Sequence, residues 1–420
     1  MPRAQMEHLA EPAPKRQRPE GETQQQQQEQ QDSSRALTKR KVVILVAYNG
    51  ARYQGLQKNP GAVTVAETLE IAMHEVGGIS DDNFGTLQKI SWSQAGRTDK
   101  GVHATGQVIS LKLSLPTAGQ QHEGMIERIN ERLAGSGIRI LGCERASNNF
   151  CAHTMCSSRE YEYLLPVYVL RRARSAAQPD AAAAPSAERA ADPAGDAAIA
   201  DDAEVDANAP LSATELERLG GILRSMQGTR RFHNFTDGKI ACTDPQAKRF
   251  MIDFSVGPSQ ELDGVRYLPL RYHGQSFLLH QIRKMTALAL AVFRGDVAAD
   301  AVATAFDEPR IAPMPLAPAC ALTLRRALFE SYERRKVGPG KPHNSVHFPE
   351  CEAARDAFLV DEVLPHVAKR ERAGEFREFA SALAGYTLQR SAEELAERAA
   401  AREAARAAAD ARRADERGGE

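Results

Sequence analysis

The first sustained pattern in the chain is the unbroken apolar run Val42-Val43-Ile44-Leu45-Val46-Ala47-Tyr48, closed by the turn pair Asn49-Gly50. A β-branched run ended by a turn signal predicts a buried strand. Val65, Leu69, Ala72, Met73 and Val76 then recur at the spacing of one helix face, with Thr64 at the N-cap and Gly77-Gly78 at the stop. Strands are predicted over residues 87–92 and 107–115, on either side of a polar loop. An amphipathic helix over 122–133 and strands over 138–141 and 161–170 follow. This β-α-β-β-α-β order is that of a ferredoxin-like unit.

The pattern resumes with Leu216, Leu219, Ile222, Leu223 and Met226 on a helix face. Strands over 249–256 and 267–273, a long helix over about 277–293 and a last strand over 322–329 give the same α+β mix, without a residue-level repeat. Beyond Pro339, residues 352–388 read as helical, with Phe358, Val363, Leu364, Phe376, Phe379 and Leu383 as the packing surface.

Three stretches lack such patterning. Residues 1–40 are rich in Gln, Glu, Pro and Ser, residues 171–210 in Ala, Asp and Pro, and residues 391–420 in Ala, Arg and Glu. The first two bury too little apolar surface to offset their ordering entropy. The expected organisation is a disordered arm (1–40), a first core half (41–170), a disordered insertion (171–210), a second half (211–336), a helical extension (337–390) and a charged tail (391–420).

Charge narrows the function classes. Lys and Arg number 54 against 55 Asp and Glu, a net charge of −1, so the chain is not held to RNA by bulk charge, although a local basic groove is compatible with it. Six cysteines without any CxxC do not make a disulfide framework. No apolar run approaches the roughly 18–20 residues of a membrane span, and the start has no signal-peptide pattern. A soluble intracellular protein is expected. Lys15-Arg16-Gln17-Arg18 has the form of a nuclear import signal.

Four polar constellations are candidates for chemistry. Ala95-Gly96-Arg97-Thr98-Asp99-Lys100-Gly101-Val102-His103-Ala104 presents a carboxylate between two cations in a glycine-bounded loop. Spacing alone favours a turn in which Asp99 caps local N–H groups over a catalytic site. His280, Arg283 and Lys284 gather at one side of a helix start, where cations oppose the dipole and call for an anion. Tyr161 and Tyr163 share a strand face in Arg159-Glu160-Tyr161-Glu162-Tyr163. In Arg230-Arg231-Phe232-His233-Asn234-Phe235-Thr236, cations and rings interleave as in single-strand RNA binders, or as in a loop anchored by two phenylalanines. Cys151, His153 and Cys156 sit close together without a second ligand pair. The P-loop, zinc-protease and serine-hydrolase signatures are absent.

In residues 96–108, GRTDKGVHATGQV, the chain resembles the tRNA pseudouridine synthases of the TruA superfamily. Tyr48-Asn49-Gly50 with Tyr53-Gln54-Gly55-Leu56-Gln57 resembles the family's opening motif, and Arg159–Tyr163 its Arg-x-Tyr-x-Tyr strand. His280-Gln281-Ile282-Arg283-Lys284 and Phe232-His233-Asn234-Phe235-Thr236 have the form of the eukaryotic nuclear multisite branch. The likeness spans about 40–335, apart from the insertion. One departure is Ala319-Cys320-Ala321-Leu322, where the family usually carries glycines near the uracil.

The resemblance implies two ferredoxin-like halves sharing an antiparallel sheet with a central catalytic cleft, plus a C-terminal helical extension. It implies isomerisation of uridine to pseudouridine without a cofactor or metal. Asp99 would be the nucleophile, Arg283 its salt-bridge partner, and Tyr161 the ring stacked on the base and the acceptor of the carbon-5 proton. Arg97 would replace the extruded base or hold a phosphate, with Lys100, Arg230, Arg231 and Lys284 on the RNA backbone. His103, Phe232, His233 and His280, from the same motifs, are the remaining expected substrate contacts. The expected partner is tRNA, with small nuclear and messenger RNA as further candidates, no membrane and a monomeric state. The nucleus is the expected compartment, a mitochondrial pool being left open. A catalytically silent RNA-binding relative is the alternative.

Overall fold

The computed structural model describes residues 37–116, 122–171 and 206–389. The expectations of disorder in the N-terminal arm and in most of the insertion, and those for the charged tail, lie outside the described residues. Those described form a mixed α+β structure with one large mixed sheet and a C-terminal helical region.

The first part of the chain folds as β1 (Leu37–Tyr48), α1 (Val65–Glu75), β2 (Ser93–Gln94), β3 (His103–Pro116), α2 (His122–Arg132) and β4 (Ile138–Arg145). Its strands run β4-β1-β3, with β2 on the far side of β3, and every pair is antiparallel. The run in β1 is unbroken because both sheet faces are covered. Val42, Ile44 and Val46 enter the main core, while Val43 and Leu45 enter a second cluster with Phe150, Phe329 and Phe348. Helix α1 starts where its cap signal predicts: Thr64 Oγ1 accepts the Glu67 N–H at 3.3 Å. It stops where Gly77 (φ +79°) and Gly78 donate back to His74 and Met73.

The strand predicted over 87–92 is not formed. Those residues wind into turns, with Ser91 at φ +51° and the Trp92 N–H donating to the Leu87 carbonyl at 3.1 Å. Only Ser93 and Gln94 pair with β3 as a strand, and Ile90 meets it through a single bond, its carbonyl accepting the Lys112 N–H at 2.7 Å. The apolar residues that suggested a strand are anchors of a compact loop, Ile90 being 3 % exposed.

The later elements are β5 (Ser158–Pro166), α3 (Ala213–Arg224), β6 (Gly228–Arg231), β7 (Lys248–Val256), β8 (Gln260–Leu262), β9 (Val265–Gly274), α4 (Gln281–Arg294) and β10 (Leu322–Leu328). They run β10-β5-β9-β7-β6. Strand β5 pairs antiparallel with β9 and β10, not with β1, β3 or β4. It therefore belongs structurally with the elements that follow it, although the sequence grouping put it with those before. The strand expected over 161–170 ends at Pro166, and Val167–Leu170 tighten into a single 3-10 turn.

Where the two groups meet, β3 and β10 are parallel, pairing at His103 with Thr323 and Ala104 with Leu324. The sheet is thus mixed rather than antiparallel. The alternation within a strand fixes its faces and says nothing about the direction of a distant neighbour. Gly106 makes the junction possible, since a Cβ there would stand 2.0 Å from the Arg325 carbonyl oxygen.

The C-terminal region comprises α5 (Glu352–Phe358), a π turn over Leu359–Val363, α6 (Leu364–Arg372) and α7 (Glu375–Ala384). Phe358, Val363, Phe376, Phe379 and Leu383 join the main core, as their spacing predicts. Leu364 of the predicted surface is only partly buried against it.

Candidate active site

The loop from Ala95 to Val102 is tied down by backbone hydrogen bonds at Ala95, Gly96, Thr98, Asp99 and Val102. The Ala95 N–H donates to the Val108 carbonyl at 2.8 Å, and the Gly96 carbonyl accepts from Gln107 Nε2 at 3.0 Å. The Thr98 carbonyl accepts the Leu56 N–H at 3.2 Å, and the Asp99 carbonyl accepts the Val102 N–H at 3.1 Å. Thr98 Oγ1 lies 2.7 Å from the Tyr48 hydroxyl in a buried contact. Burial pushes that phenol up to about 12, so it remains a neutral hydrogen-bonding group.

This packing explains the glycines of the opening motif. A Cβ on Gly50 would stand 2.1 Å from the Val102 carbonyl oxygen, and one on Gly55, at φ +100°, 2.9 Å from that of Thr98. Both positions admit the close backbone approach only without a side chain. The loop conformation is thus built jointly by β1, its following turn and β3.

Asp99 projects from this loop with its side chain 21 % exposed. Desolvation raises its pKa above the ordinary carboxylate range, opposed by His280, Arg283 and a backbone hydrogen bond from His280. His280 Nε2 is 3.9 Å from Asp99 Oδ2. Desolvation lowers the imidazole pKa in turn, so His280 is neutral at neutral pH and the contact is not then an ion pair. Arg283 is the cation that acts on the carboxylate under those conditions.

The direct Asp99–Arg283 salt bridge expected from the sequence is not formed among the described residues. Arg283 Nε instead donates to the Ala317 carbonyl at 2.5 Å, and Arg283 acts on Asp99 through space. Helix α4 begins later than predicted, at Gln281, with His280 as its cap in the left-handed region at φ +66°. Gln281 Oε1 accepts the Leu278 N–H at 2.8 Å, which holds residues 278–280 outside the helix. The first turn carries no acidic residue, and Asp99 supplies the anion that the cationic helix start calls for.

Tyr161 is 8 % exposed and lies edge-on to Phe277, with centroids 5.3 Å apart. Its hydroxyl is 3.7 Å from where a Cβ on Gly96 would stand, which puts the ring beside the loop. Burial raises its pKa, with Asp99 adding to the rise. The phenol therefore stays protonated at neutral pH.

Arg97 and Lys100 are exposed on the same loop. Lys284 Nζ donates to the Thr236 carbonyl and lines a cavity of about 260 Å³ with His233, Asp237 and Arg310. Arg230 and Arg231 are exposed on β6; Arg230 lies over the Phe306 ring and Arg231 donates to the Cys242 carbonyl at 2.8 Å.

Three of the expected contacts lie inside the scaffold. His103 is fully buried, its Nδ1 accepting the Gly50 N–H at 3.0 Å, which leaves Nε2–H to donate to the Cys320 carbonyl at 3.0 Å. Burial lowers its pKa to about 3. It is a neutral structural bridge across the β3–β10 junction. Phe232 is fully buried and His233 is 2 % exposed, with its Nε2 2.9 Å from the Glu308 carbonyl. The two phenylalanines anchor a loop, and His233 also lines the cavity beside Lys284.

Arg159 is a functional neighbour that motif reading left without a role. It is 8 % exposed; its Nε and Nη2 donate to the Ala95 carbonyl at 3.1 and 2.5 Å, and its Nη1 donates to that of Gln275. It thereby ties the Asp99 loop to the segment leading into α4. An arginine in alternation with the strand tyrosines Tyr161 and Tyr163 was the available signal. The C-terminal region reaches the same loop's supports: Asn49 Nδ2 donates to the Glu362 carbonyl in the π turn at 2.7 Å, and His366 lies edge-on to His103 at 5.5 Å. No sequence signal pointed to those contacts. Among the described residues no group of three or more His, Cys, Asp or Glu could hold a metal ion.

Known proteins bear on this arrangement. The family model for tRNA pseudouridine synthase matches residues 222–330. The mouse pseudouridylate synthase 1 homolog is 31 % identical over 341 residues, covering 80 % of this chain and 72 % of its own. The tRNA pseudouridine synthase 1 of Yarrowia lipolytica is 31 % identical over 384 residues, covering 77 % and 71 %. That of Saccharomyces cerevisiae is 33 % identical over 361 residues, covering 71 % and 63 %.

Proposed function

The chain belongs to the tRNA pseudouridine synthase family, and from that premise we propose that it isomerises specific uridines of tRNA to pseudouridine with Asp99 as the nucleophile. The observation that carries the assignment is the desolvated Asp99 carboxylate facing the cationic start of α4. A family member is an isomerase acting in tRNA modification, and a tRNA substrate is implied; the choice of uridines and the roles below are our reading.

Asp99 forms a covalent bond to the target nucleotide, at the ribose or at the base, as the N-glycosidic bond breaks. The base turns and rejoins through carbon 5, the carbon-5 proton is lost, and the carboxylate leaves. Arg283 holds Asp99 ionised against its desolvation. Tyr161 packs on the base; its hydroxyl accepts the carbon-5 proton as it gives its own to water, and N1 of the turned base takes up a proton from water, so no net proton is lost. Extruding the uridine costs on the order of a few kcal/mol, least in loops and weak stems. Arg97 and Lys100 meet the RNA first, with Lys284, Arg230 and Arg231 along the backbone path.

We read the strand orders β4-β1-β3-β2 and β10-β5-β9-β7 as two ferredoxin-like halves, each folded β-α-β-β-α-β. The boundary between them then falls between Arg145 and Ser158, and the 171–210 insertion lies in the first crossover of the second half. The basic cluster at 15–18 supports nuclear location, which a fluorescent fusion with those residues replaced by alanine tests by losing nuclear signal.

Incubating unmodified tRNA transcripts with the protein, then mapping pseudouridine by carbodiimide-dependent primer-extension stops, tests the activity. Stops at discrete uridines are expected. A transcript panel that binds without acquiring any stop would favour the silent RNA-binding relative.

A further inference from the structure

A cavity of about 560 Å³ opens beside the Asp99 loop, lined by Trp92, Leu87, Gln57, Gln88, Arg97 and His153 among others. Its volume falls in the range of about 300–1,000 Å³ usual for small-molecule sites. The mechanism above gives it no role. Trp92 is partly buried, and its Nε1–H donates to Gln94 Oε1 at 2.8 Å. That bond fixes the indole and uses its one polar atom, so the ring contributes a flat apolar surface to the wall.

The cations of the lining differ in availability. Lys58 is committed, its ammonium 2.6 Å from the buried Glu70 carboxylate. Arg97 is exposed and makes no ion pair among the described residues. A rigid aromatic face, side-chain amides on Gln57 and Gln88 and one uncommitted guanidinium suit a base with its phosphate: ring on ring, amide on base edge, guanidinium on phosphate. Arg97 is two residues before Asp99, at most about 7 Å of chain, a distance that one nucleotide spans.

We propose that this cavity holds one unpaired nucleotide of the RNA, a neighbour of the target uridine, with its base stacked on Trp92 and its phosphate on Arg97. The inference rests on the synthase reading and extends it from the reacting uridine to the nucleotide beside it. Its consequence is selection by context: targets flanked by a nucleotide free to leave its stack are preferred over those inside a continuous duplex.

Trp92 is the one tryptophan in the chain, so the emission of the full-length protein reports on this cavity. Unmodified tRNA is titrated in while total binding is followed by the anisotropy of end-labelled tRNA. Saturable quenching at the anisotropy midpoint is expected, and none from a blunt RNA duplex without unpaired nucleotides. Trp92→Leu should weaken tRNA binding and raise KM about tenfold with kcat nearly unchanged, and Trp92→Phe should restore most of the loss. Binding and turnover with unaltered emission, and a Trp92→Leu variant that binds normally, would overturn the proposal and leave the synthase reading standing. Absence of both tRNA binding and turnover would overturn the two together.

Discussion

Asp99 pairs a raised pKa with a task that needs its ionised form. Its folded pKa lies above its unfolded one, so the native state holds the proton more readily. Asp99 is neutral to stability at low pH, and destabilising once the pH rises through the folded pKa. Asp99→Asn should therefore abolish turnover while raising Tm at pH 7, with the difference closing toward pH 4; a melting series against pH checks this. Activity should fall as pH drops through the raised pKa, and Arg283→Met should move that acid limb to higher pH as well as slow the reaction. His103 has the opposite sign. Its pKa of about 3 in the fold, against about 6.5 unfolded, means that stability is lost as pH falls below about 6.5. The loss should reach about 2 kcal/mol by pH 5. Denaturant titrations at pH 7 and pH 5 measure it, and His103→Gln should flatten the difference.

At the scale of elements, the Asp99 loop and α4 are separate pieces of chain held in one arrangement by backbone contacts. The glycines were legible as motif members, and their reason appeared only with the loop packed against them. Gly55→Ala places a Cβ 2.9 Å from the Thr98 carbonyl oxygen at a positive φ. It should cut kcat more than tRNA affinity, which single-turnover and binding assays separate. Leu288 is fully buried on α4, and Leu288→Ala should cost about 2–5 kcal/mol, read by denaturant unfolding. Strong apolar periodicity made α1 and its cap readable, and the α7 packing residues Phe376, Phe379 and Leu383 as well. Residues 87–92 misled because Ile90 and Trp92 alternate about Ser91 as in a strand while, with Leu87, they anchor turns. His103, Phe232 and His233 carry a different lesson: polar and aromatic residues inside a functional motif can also serve the scaffold that carries the site.

At the scale of the molecule, the site stands where two groups of strands meet in one parallel pairing. That junction could not be read from either strand, because direction between distant strands is a property of topology and not of local pattern. The same limit hid the grouping of β5 with β9 and β10, and the reach of Arg159 from the Asp99 loop to the approach to α4. The net charge of −1 restricts RNA attraction to local cations, so the salt dependence of tRNA affinity should fall by about one phosphate contact for each of Arg97, Lys100, Lys284, Arg230 and Arg231 replaced by alanine. The measurement that tests the central claim most directly is tritium release from tRNA transcripts labelled at uridine carbon 5, comparing the wild type with Asp99→Asn. Release by the wild type alone, with tRNA bound by both, is the predicted result. Release at a comparable rate by Asp99→Asn would contradict the assignment of Asp99 as the nucleophile.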